Sequence, residues 1–110
     1  DKDTAEDAQQ WHFGIFNNTN LVGNLSVNPL SNDIAKLRQM AIQINMQNMG
    51  LGKFLLNHVE SYCWDKGYQR LELYARALAI EFYQKQGYII DSGEFYEIGL
   101  PHFKMIKRRI

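Results

Sequence analysis

The stretch Gln47-Asn48-Met49-Gly50-Leu51-Gly52 has residue types that can hold an anion through the main chain. It follows a strand-like run, Leu37 to Ile42, and leads into one where Leu51, Leu55, Val59 and Tyr62 recur at helical spacing, with Phe54 and Cys63 widening the stripe. A loop in that position ends at a helix N-terminus, where the first N–H groups lack intrahelical partners and the macrodipole favours negative charge. Gly50 and Gly52 allow close approach of an anion such as a pyrophosphate, and Lys53 adds a full positive charge. Two phosphate loops are excluded. A Walker A loop needs Gly where Gln47 stands and Ser or Thr where Phe54 stands, and the dinucleotide fingerprint needs Gly in place of Leu55. A lone Gly-x-Gly also serves as a plain tight turn, so the loop alone does not fix a ligand.

Other reactive types are sparse. Cys63 falls on the apolar face of the helix, as a small buried hydrophobe rather than a nucleophile. His12 reads as a strand residue and His58 as a helix-flank residue. No cluster of His, Cys and acid has metal spacing, so no metal is expected, and residue order suggests no Ser, His, Asp arrangement.

The elements that must position the loop follow from periodicity. Asp1 to Gln10 is polar and helix-compatible. Trp11, Phe13 and Ile15 alternate with His12, Gly14 and Phe16, and alternation resumes at Leu21 to Val27 after the polar turn Asn17 to Asn20, a hairpin signal. Asn28 to Asp33 reads as a loop and Ala35 to Ile42 as the third strand. The helix from Leu51 should end near Gly67 with that residue left-handed and Lys66 beside the negative helix end. Arg70 to Ala75 alternates as a strand, a shorter helix spans Leu78 to Gln86, and extended segments follow at Tyr88 to Asp91, Phe95 to Ile98 and His102 to Ile106. Lys107-Arg108-Arg109 reads as a solvated tail. A strand-loop-helix-strand unit inside an antiparallel meander predicts an α/β (α+β) fold with a mixed, mostly antiparallel sheet and helices packed on it.

With 110 residues and 45% apolar content, the chain is sized for one domain that buries its own core. Twelve basic and twelve acidic side chains leave no net charge, which argues against an electrostatic grip on nucleic acid or membrane. One cysteine cannot form an internal disulfide, and a reducing cytoplasm fits. No apolar run reaches the length of a membrane span, and the polar start is unlike a signal peptide.

Gln47-x-x-Gly50-x-Gly52 before an apolar helix resembles the coenzyme A pyrophosphate loop of the GNAT superfamily of N-acetyltransferases. Leu37-Arg38-Gln39-Met40-Ala41-Ile42 is similar to the strand that carries the pantetheine arm in that family. Ala75-Arg76-Ala77, Ala79 and Phe82-Tyr83-Gln84-Lys85-Gln86-Gly87-Tyr88 resemble its Phe-Tyr-x-Lys-x-Gly-Phe segment, and Ile98 to Met105 its terminal strand pair. The resemblance covers Trp11 to Lys107. It implies a sheet splayed between the third and fourth strands, with acetyl-CoA in the gap and direct acetyl transfer to a primary amine. The implied cofactor residues are the backbone of Met40, Ala41 and Ile42 for pantetheine, and Gln47, Asn48, Met49, Gly50, Leu51, Gly52 and Lys53 for pyrophosphate. Arg76 stands where many members carry Asn near the cofactor.

The resemblance implies that Tyr83 reaches the coenzyme sulfur, where a phenol can give a proton to the leaving thiolate, although Tyr83 could equally cap the core. For the base that accepts the amine proton, Glu72 and His102 are both candidates, each with a plain structural alternative. The acceptor could be a peptide, aminoglycoside, polyamine or small metabolite. Nothing before the first hairpin matches the family's first strand and long helix, so residues 1–110 read as one domain, N-terminally incomplete. That leaves Trp11 to Phe16 as an exposed edge strand that a second copy could cover, as a homodimer. A rival reading is a degenerate module that binds coenzyme A or a partner chain without catalysis; another is a cofactor-free interaction domain.

Overall fold

The computed structural model describes residues 10–43, 50–91, 95–97 and 99–109. Strands β1 (Trp11–Asn17) and β2 (Asn20–Pro29) form the expected hairpin, with Asn17 opposite Asn20. Asn18 takes the left-handed φ of 58° at the turn, which its short polar side chain tolerates. Strand β3 (Ile34–Ile42) pairs antiparallel with β2, whose last residue, Pro29, lies opposite Ala35 instead of in a loop. The chain then crosses over through helix α1 (Leu51–Asp65) to β4 (Arg70–Arg76), which lies parallel to β3, as a crossover of this length allows.

A 3-10 turn, Ala77–Ala79, leads into a short helix α2 (Ile80–Lys85), so the second helix expected from Leu78 is α-helical only over its second part. Strands β5 (Ile89–Ile90), β6 (Phe95–Glu97) and β7 (Leu100–Arg108) complete a seven-stranded sheet in the order β1-β2-β3-β4-β7-β5, with β6 beside β5 on the same flank of β7. Every pairing except β3 with β4 is antiparallel. The result is the expected mixed α+β architecture.

Helix α1 covers one face of this sheet. Its buried side chains are Leu55, Leu56, Val59, Glu60 and Cys63, which meet Leu25, Val27, Leu37, Leu71 and Leu73 from the strands. Phe54, expected in the apolar stripe, is instead 64% exposed, one position off the buried face. The helix ends as expected: Gly67 has φ 100°, its N–H bonds the Trp64 carbonyl at 3.0 Å, and the Tyr68 N–H bonds the Cys63 carbonyl at 3.1 Å. These bonds satisfy carbonyls that the last turn would otherwise leave open.

The terminal basic run is not a solvated tail. Strand β7 continues to Arg108, opposite Arg70, and the Lys107 ammonium donates to Glu60 Oε1 at 3.0 Å and to the Gln86 carbonyl at 2.8 Å. Tyr88, 1% exposed, donates its hydroxyl to Glu60 Oε2 at 2.8 Å. A buried carboxylate held from two sides thus ties α1 to β7 and to the turn after α2. Strand β1 is the sheet edge, but Trp11, Phe13 and Ile15 are only half exposed because they face α1, with Phe13 and Tyr62 rings 5.0 Å apart edge to face. Phe16, at 63%, is the large apolar group that this edge shows to solvent.

Candidate active site

Pairing between β3 and β4 stops after three residues, Ile34 with Arg70, Ala35 with Leu71 and Lys36 with Glu72. Both strands run on, β3 to Ile42 and β4 to Arg76, without each other. The cause lies in β3. Its register with β2 shifts between Ser26 opposite Arg38 and Asn24 opposite Ala41, so β3 carries one extra residue there, a bulge that bends and twists the strand. The bulge also switches the inward parity. Ala35 and Leu37 face the core before it, whereas Met40 and Ile42 pack against the core after it. Gly23 makes room for that switch, since a Cβ there would stand 2.6 Å from Ile42 Cδ1.

The splay opens a cleft of about 450 Å³, a size suited to a small-molecule site. One side is apolar, with Leu37, Leu56, Leu73, Ala75 and Ala79. Lys36, Arg38, Tyr74 and Arg76, at the opposite strand parity, line the other. Tyr83 and His102 complete the wall. Of the residues singled out from sequence, Met40, Arg76, Tyr83 and His102 therefore meet at one cleft, and Ala41 and Ile42 continue the β3 margin. Glu72 does not line it. Its buried carboxylate is held by Arg70 Nη2 at 2.7 Å and by Lys104 Nζ at 3.6 Å. Sequence reasoning missed Lys36 and Arg38 as lining residues, although their alternation with Ala35 and Leu37 was the available signal.

Tyr83 is held by edge-to-face contacts with Phe82 at 5.1 Å and Tyr88 at 5.7 Å. Burial pushes its phenol up to about 12, so it keeps its proton across the working range of an enzyme. His102 directs Nδ1 at the Leu100 carbonyl, 2.9 Å away. A carbonyl only accepts, so Nδ1 carries the hydrogen and Nε2 is the accepting nitrogen of the neutral ring. Cys63 is fully buried, and burial with Glu60 nearby pushes its thiol up to about 12, the opposite of an activated nucleophile.

Of the anion loop, Gln47, Asn48 and Met49 lie outside the described residues. Gly50 takes φ 76° as the N-cap of α1, and its carbonyl accepts the first helical bond from Phe54 N–H at 3.0 Å. Among the described residues no side chain caps this end and no acidic residue lies in the first turn, so none of them competes with an anion for the leading N–H groups of Leu51, Gly52 and Lys53. A Cβ on Gly52 would stand 3.5 Å from the Phe82 ring, which puts this helix start beside the helix that carries Tyr83.

A family model described as an acetyltransferase (GNAT) domain matches residues 2–109. The uncharacterized protein YyaT of Bacillus subtilis is 40% identical over 73 residues, 66% of this chain and 49% of that protein. The uncharacterized N-acetyltransferase YjcF of the same organism is 30% identical over 73 residues, covering 66% and 52%. The chain spans about half the length of the curated relatives it matches. Among solved structures, a GNAT family acetyltransferase from Elizabethkingia anophelis with acetyl-CoA bound superposes with a TM-score of 0.82 at 17% identity, over 98% of this chain and 82% of that one.

Proposed function

The chain belongs to the GNAT acetyltransferase family, and from that premise we propose that it transfers an acetyl group from acetyl-CoA directly to a primary amine. The observation that carries the reading is the end of β3–β4 pairing at Lys36, which opens a cleft lined by Leu56 of α1 and by Tyr83. Acetyl-CoA supplies an acetyl group activated as a thioester: an N–C bond forms to the amine, the C–S bond breaks, the amine loses one proton and the sulfur gains one.

This chain's residues divide the remaining work. The β3 margin from Met40 to Ile42, turned away from β4, offers main-chain groups to an extended amide-bearing arm as a missing strand would. Gly50, Leu51, Gly52 and Lys53 offer amides and a charge to a diphosphate, joined by Gln47, Asn48 and Met49. Tyr83 donates a hydrogen bond to the sulfur. With its own proton affinity near 12, complete transfer to a thiolate would run uphill by about 3 pKa units, so its service is to stabilise developing charge. His102 Nε2 is the base candidate that the cleft favours, since Glu72 does not line it and its carboxylate is held by Arg70 and Lys104.

The elevated Cys63 thiol supports direct transfer over an acyl-enzyme. The test is calorimetric titration with acetyl-CoA beside an amine-acetylation assay over a broad panel. Binding with turnover is the expected result. Binding without turnover on any amine would leave a coenzyme-binding module, and no binding at all would leave a cofactor-free interaction domain.

A further inference from the structure

The cleft is charged on one side only. Lys36 and Arg38 from β3 and Arg76 from β4 line it, and among the described residues no Asp or Glu does. Glu72, at the same strand parity on β4, is engaged by Arg70 at 2.7 Å and Lys104 at 3.6 Å, and Asp91 is engaged by Lys104 at 3.5 Å. Lys36 Nζ lies 3.8 Å from the centroid of the Tyr74 ring, which holds that charge at the wall. Arg38 is exposed and makes no ion pair with any described residue. Among the described residues, a chain with no net charge therefore concentrates positive charge along this cleft.

Resting on the acetyl-transfer reading, we propose that the acceptor is a small amine that also carries a carboxylate, held by Arg38 with Lys36 at the cationic side of the cleft. A guanidinium fork matches a carboxylate in two parallel hydrogen bonds, which fixes orientation as well as position. The same field acts on the reacting group. Neighbouring cations disfavour an ammonium ion, so an amine anchored by its carboxylate is driven toward the free base that attacks. Polycationic acceptors such as polyamines and aminoglycosides meet repulsion at the same opening.

The experiment compares kcat/KM for matched amines with acetyl-CoA: amino acids with the amine on the α or the terminal carbon, each against its carboxamide and the amine left on decarboxylation. The carboxylates should exceed their carboxamides by about 10- to 100-fold. Arg38→Gln should collapse that gap to roughly threefold or less by raising acceptor KM, with the KM for acetyl-CoA unmoved and the melting curve unchanged. Added salt should raise the KM of the carboxylates more than that of the carboxamides. Lys36→Gln provides a second variant with the same expected direction. Equal or better use of carboxamides or diamines overturns the proposal, as does a preference that survives both substitutions. Acetyl-CoA binding without turnover on any amine overturns the acetyl-transfer reading instead, and the acceptor assignment with it.

Discussion

At the scale of the residue, Tyr83 and Cys63 separate the chemistry from its alternatives. Tyr83→Phe removes one oxygen and leaves the ring contacts with Phe82 and Tyr88 in place. Turnover is expected to fall by about 10²-fold with the KM for acetyl-CoA nearly constant, measured by initial rates. An unchanged kcat would make Tyr83 a core cap. Cys63 should resist alkylation in the native protein and carry no acetyl label after a single turnover, as mass spectrometry can check. Both groups have folded-state proton affinities raised by burial, so the folded state binds protons that the unfolded state releases. Their contribution to stability is complete below the unfolded values, near 9 for the thiol and 10 for the phenol, and is lost as pH rises toward about 12. Urea midpoints should therefore decline from about pH 9 upward, and less steeply in a Cys63→Ala, Tyr83→Phe double variant. The left-handed turn at Gly67 was legible because only particular turns need such a residue. The engagement of Glu72 was not, because its partners Arg70 and Lys104 come from β4 and the distant β7.

At the scale of the element, most strands and both helices were legible from period alone. One misreading is tertiary in origin. Lys107 looked like a tail residue because nothing local shows that Glu60, buried on α1, needs a cation from the far end of the chain. Lys107→Met should leave that carboxylate unpaired and cost about 3–5 kcal/mol in chemical denaturation. Adding Glu60→Leu should recover much of the loss, since the uncompensated charge goes with it. A double variant no more stable than Lys107→Met alone would mean that the ammonium matters through Gln86 instead. The bulge in β3 was legible in principle. The inward apolar positions change from odd at Ala35 and Leu37 to even at Met40 and Ile42, and a strand can change parity only by taking in an extra residue. Reading Ala35 to Ile42 as one uninterrupted strand concealed it, and with it the reason that the gap opens where it does.

At the scale of the molecule, two half-sheets meet along one short parallel seam. β1, β2 and β3 form one half and β4, β7, β5 and β6 the other, with α1 packed across the join. Coenzyme A seated in the cleft would touch both halves, so calorimetric melting should rise with its concentration by the usual linkage. At a hundredfold excess over Kd the gain is about 2.7 kcal/mol. The brevity of that seam has a mechanical consequence. With so few rungs, the halves can breathe against each other, and amide hydrogens along the inner margins of β3 and β4 beyond Lys36 and Glu72 should exchange with deuterium sooner than those between β4 and β7. A ligand lying along the opening would act as a suture, slowing exchange on both margins together while leaving the outer strands as they were.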